Sequence, residues 1–325
     1  FGEAGFEALV KNGLRGVLFQ ETDFAPDNEN AETEFEKLVE KHAKLNEKTT
    51  QLVEVGLSPH APYTVSRKLF EKITDYAIAN KTKLTIHAAE SSEEKSLMEN
   101  GEGFFAEIYE KEKVNWNFPG SSTIEYLNDI GVLSAKPLLA HCVEISSKDL
   151  ELIADSDSSV AHCPKSNAKF GHGIAPFEKF LDNEMRVGFG TDSMASNNTC
   201  DMLEETRFAS LVSRTRLDRK RFIDVKESIE TATVGGARAL GLDKKIGSLE
   251  EGKEADIIAI SLEDVSQKPV HDVYSALLFA SGAKDVIFTM VAGEELYNDG
   301  KVTKIDEAKL ITEINEIARR MNSKS

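Results

Sequence analysis

The segment KLTIHAAES, residues 83–91, is a short apolar run that ends at a histidine, with a glutamate three residues further on. Apolar runs of this length are typical of a buried β-strand. His87 and Glu90 would then lie just where the strand ends. They could be ordinary loop residues, or a metal ligand and a proton carrier, and the other strands decide between these two interpretations.

Five further runs of this kind occur in the chain, and helix-length segments separate them. Strands that alternate with helices predict right-handed βαβ crossovers and a parallel α/β sheet. The runs are apolar almost throughout, as expected of strands that are covered on both faces. The predicted strands are residues 14–20, 52–60, 84–88, 137–142, 159–163 and 186–192, and the predicted helices include residues 32–45, 66–79, 91–109, 147–154 and 176–183.

Histidines and an aspartate occupy the C-terminal ends of five of these strands. In a parallel α/β barrel those ends converge on one mouth, where active sites are built. Histidines scattered over a surface would not recur at the ends of successive strands, so the pattern predicts a single functional site. The residues concerned are His60, His87, His141, His162 and Asp192.

Imidazole and carboxylate groups together suit one borderline divalent ion, Zn²⁺ or alternatively Fe²⁺. Such an ion lowers the pKa of a water that it binds. Glu90 lies just beyond a strand end and could carry a proton between that water and a leaving group. The residues therefore favour metal-assisted hydrolysis.

Five segments, in this order, resemble those of a known family: GLSPHAPYTVS (56–66), LTIHAAES (84–91), LLAHCVEIS (138–146), VAHCPKSN (160–167) and VGFGTDSMASNNTCDMLEE (187–205). The chain resembles the amidohydrolase superfamily. The branch it is most similar to contains methylthioadenosine/S-adenosylhomocysteine deaminases, aminofutalosine deaminases and triazine hydrolases. The resemblance implies a metal-dependent (β/α)8 barrel of the TIM type with a small β-sandwich, and residues 231–260 resemble the return from barrel to sandwich.

The resemblance also implies roles for four residues. His87 matches the metal-binding histidine of the family's fifth strand, and Glu90 matches its proton-shuttling glutamate. His141 matches the histidine that orients the attacking water or stabilises the intermediate. Asp192 matches the aspartate that ligates the metal and acts as a base.

Four further residues are candidates for binding substrate. His60 matches a substrate-side histidine, although a structural role in its turn is the alternative. Ser196 and Asn197 match a loop that closes over substrate in some members. His172 lies in a glycine-flanked loop, FGHGIAP (170–176), from which it could reach a substrate.

The sequence departs from the family pattern at its start. The family's first strand carries an HxH pair of metal ligands, which is not found here, and residues 14–20 match its third strand. We therefore expect the C-terminal portion of a longer protein, with barrel strands three to eight and weak metal binding. The expected domains are an incomplete barrel over residues 1–245, and over residues 246–325 the C-terminal part of a sandwich with a closing helix.

Composition restricts the partners. The chain has 56 acidic and 39 basic residues and a net charge of −17, which disfavours nucleic acid and anionic membranes as partners. Its three cysteines have no CxxC spacing, which favours reduced thiols and a cytoplasmic location. A homodimer is compatible with the sequence, although no interface can be identified from it.

These observations lead to one leading hypothesis and two alternatives. The leading hypothesis is hydrolytic deamination of a small heterocyclic substrate, an aminopurine nucleoside-like compound. A triazine or guanine type of amino- or chlorohydrolase is the first alternative. The second is a fragment without catalysis of its own, since the HxH ligands are missing. Residues 16–66 contain no arginine, which leaves little there to bind the carboxylate of S-adenosylhomocysteine.

Overall fold

The computed structural model describes residues 2–216 and 221–322, and within them six parallel strands follow one another in chain order. β1 pairs with β2, and β3 to β6 form a four-stranded sheet. A bridge between Leu57 and Leu84 joins β2 to the start of β3. The strands are β1 Gly16–Glu21, β2 Val53–Ser58, β3 Thr85–Ala88, β4 Leu138–His141, β5 Ser159–His162 and β6 Arg186–Phe189. All six predicted strands are confirmed.

Helices separate these strands, and serine side chains begin several of them. The hydroxyls of Ser66, Ser91, Ser122 and Ser146 each accept the backbone N–H three residues further on, which satisfies a donor that the helix leaves free. The helices of this region are α1 Gly2–Asn12, α2 Ala31–Asn46, α3 Arg67–Asn80, α4 Ser92–Asn100, α5 Phe104–Glu112, α6 Thr123–Asp129, α7 Ser147–Asp155, α8 Pro164–Phe170, α9 Phe177–Asp182, α10 Met194–Asn197, α11 Met202–Arg216, α12 Val225–Glu230 and α13 Gly236–Ala239.

The segment predicted as one helix over residues 91–109 is divided in two, α4 and α5. Gly101 ends α4 with a φ of 68°, and its N–H bonds to the carbonyl of Leu97 at 2.9 Å. Gly103 comes two residues later with a φ of 90°. Both angles lie where glycine is favoured, so the two glycines stop the helix although the apolar pattern continues past them.

The core lies between the parallel strands and the helices that cover them. It is built from aliphatic residues on the strands and from aliphatic and phenylalanine side chains on the helices, as sheets covered on both faces require. The buried strand residues include Leu57, Ile86, Leu139, Val160 and Val187, and the buried helix residues include Leu69, Phe70, Ile73, Ile124, Leu127, Ile153, Phe177 and Phe180.

The C-terminal part of the chain is an antiparallel sheet in the order β10-β9-β8-β7. Its strands are β7 Ile257–Ile260, β8 Val286–Val291, β9 Glu294–Asn298 and β10 Lys301–Val302, with α14 Val273–Ser275 between the first two and α15 Glu307–Asn322 at the end. The predicted β-rich region and its closing helix are confirmed as elements. The domain boundary at residues 245/246 stays a prediction.

An ion pair connects this sheet to the parallel strands. Nε of Arg15, just before β1, lies 2.6 Å from Oδ2 of Asp256, just before β7. The same guanidinium also contacts Glu254. The Arg15 side chain is 8% exposed and that of Asp256 is 18% exposed, so this ion pair is largely withdrawn from water.

Among residues 2–216 and 221–322, no helix combines the length and the apolar character that crossing a bilayer requires.

Candidate active site

Three histidine rings stand in a row at the C-terminal ends of β2, β3 and β4. The ring centroids of His60 and His87 are 4.7 Å apart, and those of His87 and His141 are 5.4 Å apart. His87 and His141 belong to neighbouring strands, and His60 lies two residues after the end of β2. Three of the five side chains that the sequence predicts at one mouth therefore lie next to one another.

The backbone leaves these strands in an unusual conformation. Ala89, His141, Cys142 and Asp192 have φ values of 52°, 73°, 48° and 59°, in the left-handed region that residues with a Cβ rarely adopt. Such residues persist only where the surrounding structure holds them, and they concentrate at functional sites. One of these residues, His141, belongs to the row of rings itself, and Ala89 lies two residues after His87.

The orientation of two of the rings is fixed through Nδ1. Nδ1 of His87 lies 3.1 Å from the carbonyl oxygen of His60. Because a carbonyl only accepts, the His87 proton sits on Nδ1 in the neutral ring, and Nε2 keeps its lone pair. Nδ1 of His60 lies 2.8 Å from Oγ1 of Thr64. Burial, assisted by the neighbouring His87 and His141, lowers the pKa of His60 to about 4, so this ring is neutral at pH 7.

Glu21, the last residue of β1, completes a group of metal donors that the sequence analysis missed. One ligand atom each of Glu21, His60 and His87 lie within 4.8 Å of one another. Burial raises the pKa of the Glu21 carboxyl, and the nearby His87 partly opposes this. Two imidazoles and a carboxylate are a donor set that Zn²⁺ accepts, so the residues fit the ion that the family resemblance implies.

Glu90 lies between two histidines. Its Oε1 is 3.6 Å from Nε2 of His141 and 3.4 Å from Nδ1 of His172. His172, predicted only as a substrate contact, thus also faces the predicted proton carrier. Nδ1 of His141 lies 2.8 Å from Oδ1 of Asn167, a residue given no role from the sequence. Burial, opposed by Glu90, lowers the pKa of His141.

A buried carboxylate holds the loop that carries Glu90. Oε1 of Glu94 accepts the N–H of Ala89 at 2.8 Å and the hydroxyl of Thr123 at 2.6 Å, and Oε2 accepts the N–H of Glu90 at 2.8 Å. Glu94 is 0% exposed, and its burial raises the pKa of the carboxyl. Its position on α4, four residues past the proton carrier, was the only signal of this role in the sequence.

Asp192 is held by hydrogen bonds on both oxygens. Oδ2 accepts the hydroxyl of Ser166 and Oδ1 accepts the N–H of Ser193, each at 2.5 Å. Burial raises the pKa of this carboxyl, but these hydrogen bonds outweigh it and leave the pKa below its usual value. Within the described part of the chain, Asp192 does not belong to the donor group of Glu21, His60 and His87.

The two candidate residues of the loop after β6 differ in exposure. Asn197 is buried, and its amide nitrogen donates to the carbonyl of Thr191 at 2.6 Å and to Glu205. The hydroxyl of Ser196 lies 2.9 Å from that of Ser193. Both side chains therefore help to hold the loop that begins with Asp192.

His162 is buried against Phe177, with ring centroids 5.5 Å apart. Neither of its ring nitrogens finds a hydrogen-bond partner among the residues that the structure describes. Burial, assisted by His141, lowers its pKa to about 3, so the ring stays neutral at physiological pH. The His162 ring therefore packs among aromatic side chains, with Phe189 also in contact at a centroid distance of 6.0 Å.

Comparison with protein families and curated proteins gives consistent matches. The amidohydrolase family model matches residues 5–296. A protein from Pyrococcus horikoshii named 5-methylthioadenosine/S-adenosylhomocysteine deaminase is 34% identical over 304 residues, which are 94% of this chain and 68% of that protein. A protein of the same name from Thermodesulfovibrio yellowstonii is 32% identical over 316 residues, 96% of this chain and 67% of the relative.

Solved structures show the same fold. An adenosine deaminase from Xanthomonas campestris with bound zinc superposes with a TM-score of 0.87 at 24% identity, over 99% of this chain and 70% of that one. The atrazine chlorohydrolase TrzN from Arthrobacter aurescens TC1, complexed with zinc, gives 0.81 at 22% identity, over 97% of this chain and 68% of that one. The chain therefore spans about two thirds of the length of these proteins.

Proposed function

Because this chain belongs to the amidohydrolase family, whose model matches residues 5–296, we propose that it is a hydrolytic deaminase of an aminopurine nucleoside-like substrate. The observation that carries the proposal is the position of Glu90, a carboxylate between His141 and His172 and next to the row of histidine rings. The names of the curated relatives support the same reaction.

In this reaction water replaces an amino group on the ring, and ammonia leaves. Glu90 takes a proton from the attacking water and carries it to the ring nitrogen next to the carbon under attack. His141 orients the attacking water by accepting its hydrogen bond at Nε2, since Nδ1 of its ring is held by Asn167 and Nε2 faces Glu90. Asp192, whose lowered pKa keeps it ionised, takes the remaining proton of the newly added hydroxyl and passes it to the amino group, which leaves as ammonia.

A divalent ion at His87, held with Asp192 or with Glu21 and His60, would supply Lewis-acid activation of the attacking water. Zinc is our proposal because the donor set suits it and because two structural neighbours carry zinc. Fe²⁺ accepts the same donors.

The alternative is a triazine or guanine type of hydrolase. Its support is the likeness in fold to the triazine hydrolase and to a guanine deaminase from C. acetobutylicum with bound guanine, which superposes with a TM-score of 0.74. The two proposals differ in whether the substrate carries a sugar.

We further propose a cytoplasmic enzyme that forms a homodimer and binds no nucleic acid. Cys142, Cys163 and Cys200 are free thiols, as expected in a reducing compartment. Burial raises the pKa of Cys142 and of Cys163, so neither acts as a thiolate. The net charge of −17 opposes binding to a phosphate backbone.

A substrate panel tests the function. The zinc-loaded protein is incubated with 5-methylthioadenosine, S-adenosylhomocysteine, adenosine, guanine and an aminotriazine, and the ammonia released is measured. We expect turnover of the nucleosides, and a loss of about 100-fold or more in Glu90→Gln, whose amide cannot take up and release a proton. The exposed Glu93→Gln is the control. A zinc-loaded protein that deaminates none of the compounds contradicts the proposal, and turnover of only the free base or the triazine favours the alternative.

A further inference from the structure

Two histidines flank the Glu90 carboxylate, and both face the same oxygen. Oε1 of Glu90 lies 3.6 Å from Nε2 of His141 and 3.4 Å from Nδ1 of His172. The side chains of Glu90 and His172 are only 18% and 21% exposed. A polar contact that is largely shielded from water is electrostatically stronger than the same contact in solvent. His172 is therefore placed to act on the proposed proton carrier.

The end of α8 fixes the position of His172. Gly171 has a φ of 75°, and its N–H donates to the carbonyl of Ala168 at 3.1 Å. The N–H of His172 donates to the carbonyl of Asn167 at 2.9 Å. These two bonds form a Schellman motif, in which a helix ends at a glycine. The His172 ring also stacks on the Phe170 ring, with centroids 5.4 Å apart, so its backbone and its ring are both held.

Asn167 connects the two histidines that flank Glu90. Its side-chain Oδ1 lies 2.8 Å from Nδ1 of His141, and its backbone carbonyl accepts the N–H of His172. Because an amide oxygen only accepts, the proton of the neutral His141 ring sits on Nδ1, and Nε2 has none to donate. Of the two neutral rings, His172 is thus the one that can donate a hydrogen bond to Oε1 of Glu90.

We propose that His172 is a positioning residue for the proton carrier: its Nδ1–H donates to Oε1 of Glu90 and holds the carboxylate beside His141. The separation of 3.4 Å is longer than an ordinary N–H···O hydrogen bond. Hydrogen bonds in catalytic sites often tighten to ordinary length only when the substrate is bound. A carboxylate that is held in place does not have to be aligned anew for each proton transfer.

This role differs from the one that the sequence predicts for His172. A substrate contact would act on binding, whereas a residue that positions Glu90 acts on the chemical step. The inference rests on the proposed function in taking Glu90 to be the proton carrier of the deaminase.

Steady-state kinetics separate the two roles. His172→Phe keeps a ring that can stack on Phe170 but has no donor, whereas His172→Asn keeps an N–H donor near the position of Nδ1. We expect kcat to fall by about 10–100-fold in His172→Phe with KM within about threefold, because a catalytic group misplaced by about 1 Å can cost 100-fold. His172→Asn should restore kcat to within about threefold of the unmodified chain.

Two further variants complete the series. His172→Gln carries its amide one bond further out than asparagine does and should not restore kcat. It replaces His172→Phe in the comparison if circular dichroism shows that the phenylalanine variant is unfolded. His271→Ala removes an exposed histidine before β8 and should leave kcat and KM unchanged.

A second measurement does not need turnover. The 325-residue chain has seven histidines, and isotope labelling of their ring nitrogens gives NMR spectra that report which nitrogen carries the proton. The signals that disappear in His172→Asn belong to His172. At mildly alkaline pH we expect its proton on Nδ1 in the unmodified chain and on Nε2 in Glu90→Ala, since the hydrogen-bond partner decides the tautomer and this variant lacks the acceptor.

Three results would overturn the proposal. A rise in KM with unchanged kcat in His172→Phe would make His172 a substrate contact. An equal loss of kcat in His172→Asn and His172→Phe would show that the donor does not matter. A proton on Nε2 of His172 in the unmodified chain would contradict the hydrogen bond itself. A chain that deaminates no compound contradicts the proposed function instead, and the NMR measurement then still decides the role of His172.

Discussion

Glu94 controls the geometry of the loop after β3. Its carboxylate accepts three hydrogen bonds, two of them from the backbone of Ala89 and Glu90, and it does so without contact with water. Ala89 has a positive φ, so the turn needs support from outside its own backbone. The position of Glu90 thus depends on a fully buried residue four positions further along the chain.

We expect Glu94→Gln to destabilise the protein by about 1–3 kcal/mol, since an amide offers one acceptor oxygen to three donors and turns its own N–H groups towards one of them. Urea unfolding of the variant measures the change in the free energy of unfolding. The exposed neighbour Glu93→Gln should change it by less than about 0.5 kcal/mol. Equal stability of the two variants would show that the three donors find other partners.

The histidines of the site could be predicted because histidine is rare, with seven in the chain, and four of these end strands. Glu21 could not, because it is one of 56 acidic residues and the sequence does not show which of them face a histidine. Asn167 and Glu94 act through hydrogen bonds to loops whose course depends on tertiary packing. Residues that position other side chains through hydrogen bonds are therefore hard to predict from a single sequence.

At the level of elements, the break between α4 and α5 shows how glycine overrides an apolar pattern. Gly101 adopts a left-handed conformation, and a Cβ placed there would lie 2.6 Å from Cδ1 of Phe118. Gly131 has a similar φ of 79°, but no atom lies within 4 Å of its Cβ position. The two glycines therefore share the backbone requirement and differ in the space around them.

Alanine at these two positions separates the effects. Gly131→Ala should cost about 1 kcal/mol from the left-handed backbone alone. Gly101→Ala should cost roughly 1 kcal/mol more, since the Phe118 ring must move away from the new methyl group. Thermal or urea unfolding measures both. If Gly101→Ala lowers the free energy of unfolding no more than Gly131→Ala does, the Phe118 ring moves away without an energetic cost.

The strands were predictable because each is a buried run with a polar end, and burial on both faces leaves a strong sequence signal. The helix break was not, because glycine inside a periodic segment is often tolerated and its φ depends on the packing of the residues around it. The bridge that joins β2 to β3 also depends on tertiary packing, which the sequence of neither strand specifies.

At the scale of the whole molecule, α15 presents an exposed apolar stripe. None of the side chains of this helix, all within the described residues, is buried. Leu310, Ile314, Ile317 and Met321 recur at helical spacing and are at least 42% exposed. An exposed apolar stripe of this kind is typical of an interaction surface, and a second copy of the chain is the partner that the proposed homodimer supplies.

We expect Ile314→Lys combined with Ile317→Lys to reduce self-association, as measured by sedimentation velocity at several protein concentrations. The free energy of unfolding of the monomer should change by less than about 0.5 kcal/mol, because neither side chain is buried. Thr312→Lys with Asn315→Lys, away from the stripe on the same helix, is the control. Unchanged association in the first variant would exclude the stripe as the contact.

The ion pair between Arg15 and Asp256 joins residues 241 positions apart in the chain. Translation proceeds at roughly 5–20 residues per second, so Asp256 emerges about 10–50 s after Arg15. During that interval β2 to β6 are synthesised, and the Arg15 guanidinium cannot yet pair with Asp256. A nascent chain that ends before Asp256 cannot form this ion pair. The ion pair therefore forms only after synthesis has reached the residue before β7.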